Sequence, residues 1–139
     1  MTTQTYIKTS LTLTLLGTLF SGYLSATKLF TKICAFNEPC PYFLGHPACF
    51  YGFGLFLIML IVSILAFSNA IKAASAKITL LVVSALGVLF SGQWAIPELR
   101  DFVLSLNHTY YTLGLSTCIY GFVFFLIIFI VCLVPLNNN

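Results

Sequence analysis

Residues 42–53 read YFLGHPACFYGF, and residues 111–122 read YTLGLSTCIYGF. Tyrosine, leucine, glycine, cysteine and phenylalanine recur in the same order at a spacing of 69 residues. A second block, LFSG, occurs at 19–22 and again at 89–92, a spacing of 70 residues. Two blocks that recur in one order at nearly one spacing predict a tandem duplication of a single structural unit.

Composition places the repeated unit in a lipid bilayer. The chain of 139 residues is 60% hydrophobic and 6% charged, with a mean hydropathy of +1.04, which is too apolar for a water-soluble domain. About 20 apolar residues cross the hydrocarbon layer, and four stretches qualify: 10–30, 48–68, 78–96 and 111–134. We therefore predict an all-α membrane protein, a four-transmembrane-helix bundle that forms a single domain over 1–139.

The repeat divides these spans into two helical hairpins, about 10–68 and about 78–134. Because each hairpin crosses the membrane twice, both copies have the same orientation and form a parallel repeat. Cys49 and Cys118 then occupy equivalent positions. We assign the repeated glycines to close helix contact; they are Gly22, Gly52, Gly92 and Gly121.

Charge gives a weak indication of orientation. Basic residues divide equally between the two faces, but all three acidic residues lie on the face of the loops, and Lys28 and Lys32 can snorkel from the first helix. We therefore place the termini in the cytoplasm and the cysteine loop, 34–40, on the extracytoplasmic side, where disulfides persist.

The charges also exclude two functional classes. No charged residue falls in the middle of an apolar stretch, which argues against an ion-coupled pump. The net charge of +3 is small and dispersed, so nucleic acid is not a partner. The lipid bilayer is the partner that the composition indicates.

Four of the five cysteines lie on the loop side: Cys34, Cys40, Cys49 and Cys118. Pro47 suits the first position of the second helix, which puts Cys49 in its first turn. Ser116 or Thr117 can cap the fourth helix, which puts Cys118 in the same place. A helix N-terminus favours the thiolate, so both sites can support a reactive sulfur. Cys132, at the other end, is a small buried apolar residue in this interpretation.

Four thiols allow three pairings, and the sequence does not select one. Our preferred arrangement pairs Cys34 with Cys40 in the loop and brings Cys49 close to Cys118 across the two hairpins. For the loop pair, a structural disulfide and a redox function are both open. Thiol exchange needs neighbouring sulfurs of unlike exposure, and four sulfurs at one end of a bundle provide them.

The chain shares four features with one known family: four predicted helices, a paired-cysteine loop after the first, an FLGxP sequence before the second, and a cysteine at the start of the fourth. In these features it resembles the vitamin K epoxide reductase family. The matching residues of the first half are Ser21-Gly22-Tyr23-Leu24, Cys34, Cys40, Leu44-Gly45-His46-Pro47 and Gly52. Members pass electrons from the thiols of a partner protein, through a loop cysteine pair and a Cys-x-x-Cys on the last helix, to a quinone. The resemblance implies that Cys34 and Cys40 form the shuttle pair and that Cys118 is the cysteine on the quinone side.

The chain departs from that family at the last helix. Leu115 stands where the first cysteine of the motif belongs, and Phe122 stands where the family has a tyrosine. The equivalence of Cys49 and Cys118 suggests that Cys49 supplies the missing sulfur.

Three functions remain as hypotheses. The first is a membrane thiol–disulfide oxidoreductase that relays electrons between the thiols of a partner, such as a thioredoxin-like protein, and a quinone. The second is a non-catalytic structural or partner-binding subunit with a loop disulfide. The third is a metal- or haem-binding protein, which would use Cys34, Cys40, His46 and Cys49 for a metal, or His46 and His108 for haem.

Overall fold

The computed structural model describes residues 1–32, 42–104 and 117–137. Within these residues the chain forms four α-helices and one short antiparallel hairpin, so the prediction of an all-α fold is confirmed. In chain order the elements are α1 (Thr3–Thr31), β1 (Tyr42–Phe43), β2 (His46–Pro47), α2 (Ala48–Phe67), α3 (Ala73–Leu104) and α4 (Thr117–Leu133).

Two of the four helices are long and apolar enough to cross a membrane. They are α2 over Ala48–Phe67 and α3 over Ala73–Arg100. The apolar part of α4, Cys118–Leu133, is shorter. In α1, threonine and serine alternate with leucine and lower the hydropathy of the helix. Membrane association is therefore supported by two of the four predicted spans.

Two helices extend beyond the predicted apolar stretches. We expected the third span to end at 96 and a loop to follow, but α3 continues through Pro97 to Leu104. A proline inside a helix removes one backbone hydrogen bond and bends the helix without necessarily ending it. The first helix begins at Thr3 because the Thr2 side chain accepts a hydrogen bond of 3.3 Å from the Thr5 amide and caps it. Residues 111–116 of the fourth predicted span lie outside the described residues.

The sequence did not predict the small β-hairpin before α2. Tyr42 pairs with Pro47, and Phe43 pairs with His46. The turn between them places Leu44 at φ 51° and Gly45 at φ 82°. Left-handed φ angles at both central residues are typical of the tight turns that join two adjacent strands.

Within each pair of helices, an aromatic ring fills the notch left by a glycine. A Cβ atom on Gly17 of α1 would overlap the Phe56 ring of α2, and a Cβ atom on Gly87 of α3 would overlap the Phe125 ring of α4. The absence of a side chain therefore lets each helix pair approach closely, as small residues do in membrane helix packing.

The same two rings join the two helix pairs. Phe56 and Phe125 stack with ring centroids 4.2 Å apart and ring planes inclined by 13°. Each residue is only 2% exposed, and both belong to the buried hydrophobic core cluster. A stacked aromatic pair contributes about 0.5–1.5 kcal/mol beyond the burial of its area.

The chain ends meet at the opposite end of the bundle. The Asn137 amide donates to the Met1 carbonyl at 2.9 Å, and the Tyr6 hydroxyl shares a hydrogen bond of 3.4 Å with the Cys132 thiol. Cys132 is buried, as predicted, but it also has this polar contact. These contacts hold the start of α1 against the end of α4.

We expect Gly17→Ala and Gly87→Ala each to lower the free energy of unfolding by about 1–3 kcal/mol, because the added methyl group overlaps an aromatic ring. Gly54→Ala is the matched control, since a Cβ atom there meets nothing within 4 Å. That change should leave stability unchanged or raise it by up to about 1 kcal/mol through helix propensity. Circular dichroism of micellar protein during titration with a denaturing detergent measures the difference; equal losses in all three variants contradict this packing.

Candidate functional site

A cavity lies among all four helices near the residues where α2 and α4 begin. Each helix contributes to its wall. Five pairs of residues that the predicted repeat makes equivalent line it: Phe20 and Phe90, Ser21 and Ser91, Cys49 and Cys118, Gly52 and Gly121, and Phe56 and Phe125. Leu24, Ala48 and Trp94 complete the lining.

The two cysteines of this wall sit at matching positions. Cys49 is the second residue of α2, Cys118 is the second residue of α4, and both are half-buried. The first turn of α2 is held in place by Ser25 of α1, whose hydroxyl donates to the Cys49 carbonyl at 3.2 Å. Backbone N–H groups in a first turn lack helical partners, and they favour the thiolate form of a nearby sulfur.

The expected position of Pro47 needs a small correction. Pro47 is the residue before the helix, with ψ 139°, and α2 begins at Ala48. Pro47 ends strand β2, whose pairing holds its backbone extended. Cys49 nevertheless lies in the first turn, as predicted. Ser116 lies outside the described residues.

The four repeated glycines separate into two groups. Gly22 and Gly92 confirm the prediction of close helix contact, because a Cβ atom on them would lie 3.2 Å from Phe53 and 3.4 Å from Phe122, respectively.

For Gly52 and Gly121 the prediction of helix contact is wrong. A Cβ atom on either residue would meet nothing within 4 Å, and both line the cavity. Each lies three residues after a cysteine and therefore on the same helix face. These glycines leave space beside the two sulfurs.

The cavity is small and almost wholly apolar. The centre of a water-sized sphere can occupy about 60 Å³ of it. Its two serines turn their hydrogens toward their own helices: Ser21 donates to the Gly17 carbonyl at 2.7 Å, and Ser91 to the Gly87 carbonyl at 2.6 Å. An apolar cavity of about 150 Å³ holds one benzene molecule. In this conformation the cavity therefore has room for something smaller than an aromatic ring.

One position breaks the symmetry of the wall. Trp94 of α3 stands where α1 has Leu24, and its ring contacts the Phe90 ring at 4.9 Å. Leu24 and Trp94 are therefore a pair of lining residues that differ in size between the two helix pairs.

The β-hairpin packs against the aromatic side of this wall. The Phe43 ring makes edge contacts with Phe90 at 5.5 Å and with Trp94 at 6.3 Å. Tyr51 of α2 donates a hydrogen bond of 3.0 Å to the Phe43 carbonyl. The hairpin of residues 42–47, which follows the predicted Cys34/Cys40 pair in the chain, is therefore anchored on Phe90 and Trp94 of the cavity wall.

Two of the four predicted site residues, Cys34 and Cys40, lie outside the described residues, as does His108 of the haem hypothesis. His46 is exposed on strand β2. Within the described ranges, no three His, Cys, Asp or Glu side chains come together as a metal site would require.

From this lining, sequence reasoning selected only Cys49 and Cys118 as site residues and missed the others, among them Phe56, Phe125 and Trp94. Phe56 and Phe125 have the same spacing of 69 as the two cysteines, so extending the repeat comparison along the second and fourth helices would have paired them. Trp94 carried no such signal, because its equivalent in the first hairpin is a leucine.

Comparison of the chain with protein-family models, with curated proteins and with solved structures finds no match.

We expect Gly52→Leu to slow the alkylation of Cys49 and Cys118 by a small maleimide several-fold, because the new side chain extends into the cavity. Gly54→Leu is the matched control, on the same helix but outside the cavity lining. Mass spectrometry of each cysteine peptide over a time course measures the rates. Equal rates in the parent protein and in Gly52→Leu would show that the reagent reaches the sulfurs by another route.

Proposed function

We propose that the chain crosses the membrane four times as a tandem duplication of a two-helix hairpin and that it relays electrons between partner thiols and a quinone. The loop pair Cys34/Cys40 exchanges with the partner protein, and Cys49/Cys118 passes the electrons on. The observation that carries the proposal is that one apolar cavity, at the start of two helices, is lined by both Cys49 and Cys118.

The surface of the bundle supports four spans. Large apolar side chains are exposed on every helix, for example Leu19, Ile61, Leu89 and Ile130. Soluble proteins rarely expose continuous apolar surface on all sides. α1 has 29 residues, about 44 Å at 1.5 Å per residue, and it carries no charge between Lys8 and Lys28. The uncharged residues 9–27 account for about 29 Å of that length, close to the hydrocarbon layer of about 30 Å.

The contacts between helices support the duplication. Phe20 packs against Tyr120 with ring centroids 6.2 Å apart, and the equivalent Phe90 packs against Tyr51 at 5.5 Å. Each contact joins one hairpin to the other. In the first contact the phenylalanine belongs to the first hairpin and the tyrosine to the second, and in the other contact this is reversed. A two-fold axis through the Phe56 and Phe125 stack relates such a pair of contacts. A duplicated hairpin packed against its own copy has this property.

The chemistry balances as two coupled exchanges. Oxidation of the Cys49 and Cys118 thiols forms one disulfide and releases two electrons and two protons, which reduce a quinone to its hydroquinone. The new disulfide is then reduced by the loop pair, whose own disulfide is reduced by a dithiol of the partner protein. Each transfer between sulfurs passes through a mixed disulfide.

The quinone ring needs more room than the cavity provides. In our proposal it approaches from the aromatic side and displaces part of the wall formed by Phe90 and Trp94. Aromatic side chains stack on planar ligands, so this wall suits a quinone ring.

A non-catalytic subunit is the second candidate. Leu115 in place of the first cysteine of the family motif favours it. In that case the loop disulfide holds the fold together, and the cavity is a packing gap.

We expect purified protein in lipid nanodiscs to reduce a soluble quinone at the expense of dithiothreitol, and Cys49→Ser and Cys118→Ser each to lower the rate to background. Cys132→Ser is the matched control, because Cys132 lies outside the cavity lining and a serine hydroxyl can also hydrogen-bond to the Tyr6 hydroxyl.

Alkylation before and after quinone addition, followed by mass spectrometry, separates the two candidates. A relay predicts that the Cys49 and Cys118 thiols disappear together when quinone is added. A subunit without redox function predicts one disulfide pattern that quinone does not change. Full activity in Cys49→Ser would end the proposal that this residue replaces the missing cysteine.

We also expect both termini to be cytoplasmic. Reporter enzymes that are active on only one side of the membrane, fused to the N-terminus and to the C-terminus, should give the same cytoplasmic signal. A fusion in the turn that contains Asn69 should agree with them, because that turn joins α2 to α3 on the same face. Opposite signals from the two termini would contradict an even number of spans.

A further inference from the structure

We propose that the reduced Cys49 and Cys118 bind one soft monovalent cation, Cu(I), between their sulfur atoms. This inference does not rest on the electron relay, since it requires only that both thiols reach the same cavity. It also differs from the metal site of Cys34, Cys40, His46 and Cys49, with which it shares only Cys49, because both ligands here come from helix N-termini inside the bundle.

The ligand set selects the type of ion. The described lining residues provide two sulfurs, no carboxylate and no imidazole. Zinc in proteins takes four ligands at structural sites and three at catalytic sites, and calcium and magnesium need several oxygens. Soft thiolates favour Cu(I), and Cu(I) is an ion for which two thiolates are a complete ligand set. Two cysteines in an apolar wall match that requirement.

The charges also balance. Two thiolates and one monovalent cation carry a net charge of −1, which an apolar cavity alone would not tolerate. Each helix N-terminus supplies about half a positive charge, and the first turns of α2 and α4 both adjoin the cavity. Two such ends together offset about one negative charge.

The space in the cavity suits an ion better than a molecule. The opening of about 60 Å³ is well below the 150 Å³ or so that holds benzene. Gly52 and Gly121 keep this space open beside the sulfurs, and a Cβ atom on either would meet nothing within 4 Å. A bare ion without its water fits here because the wall provides no partners for water.

Binding releases two protons: two thiols and one Cu(I) give one dithiolate complex, with two S–Cu bonds formed and two S–H bonds broken. No oxidant or reductant is consumed. The affinity should therefore rise with pH. The complex and the Cys49–Cys118 disulfide exclude each other, so bound Cu(I) would block any exchange through these sulfurs.

The test is an anaerobic titration of the reduced full-length protein with Cu(I) in competition with a coloured Cu(I) chelator. It is done in a Cys34→Ser/Cys40→Ser background, so that the loop thiols do not contribute. We expect about one ion per chain. Cys49→Ser and Cys118→Ser should each weaken binding by more than the roughly 10- to 100-fold that loss of an outer-shell partner costs. Cys132→Ser, the control outside the cavity lining, should leave the affinity unchanged.

Two measurements on the parent protein need no substitution. Cu(I) or the redox-inert Ag(I) should protect Cys49 and Cys118 together from alkylation. The same ions should change the fluorescence of Trp94, which is the only tryptophan of the chain and lines the cavity.

The proposal is overturned if the Cys34→Ser/Cys40→Ser protein binds no Cu(I), if adding Cys49→Ser or Cys118→Ser to it leaves the affinity unchanged, or if the ion protects one of these two cysteines without the other. Quinone reduction by the same preparation in the absence of metal tests the relay separately. A protein that reduces quinone but binds no Cu(I) would contradict only this inference, and the converse result would contradict only the relay.

Discussion

Two phenylalanine rings meet face to face where the two helix pairs join, and each also fills the notch of a glycine on a neighbouring helix. Phe56 and Phe125 lie 4.2 Å apart, over Gly17 and Gly87, respectively. A glycine notch lets two helices approach closely, and the close van der Waals contact adds to the burial of these apolar rings. The stack and its two notches supply that contact at the centre of the bundle.

The cavity exists because the glycines beside it leave space open, whereas the glycines under the phenylalanine stack do not. A phenylalanine ring from the neighbouring helix occupies the space beside Gly17 and the space beside Gly87. A Cβ atom on Gly52 or Gly121 would meet nothing within 4 Å, so the space beside these two residues stays open. The rings of the stack form one boundary of that space. A gap lined by apolar atoms excludes water, which strengthens every electrostatic effect on groups that border it. The environment of the two thiols is therefore a consequence of the central packing.

The all-helical class was predictable from the sequence, and so was the placement of Cys49 and Cys118 at equivalent helix starts. Apolar stretches of about 20 residues indicate helices because the backbone must satisfy its own hydrogen bonds in lipid. The predicted repeat makes Cys49 and Cys118 equivalent, and both line one cavity in the structure. Helix ends were less predictable: α3 passes through Pro97 because one lost hydrogen bond does not stop a helix that has other support. Trp94 was missed because it has no counterpart in the first hairpin.

Composition and periodicity were enough to establish the helical class, the apolar character of the helices and the matching positions of the two cysteines, because these properties depend on residues close together in the chain. Composition and periodicity do not reveal whether a repeated glycine packs against another helix or lines a cavity. Gly22 and Gly52 both belong to repeated blocks, yet a Cβ atom on the first would meet the Phe53 ring and one on the second would meet nothing within 4 Å. That difference depends on which side chain of another helix arrives opposite, and only the packing of all four helices sets it.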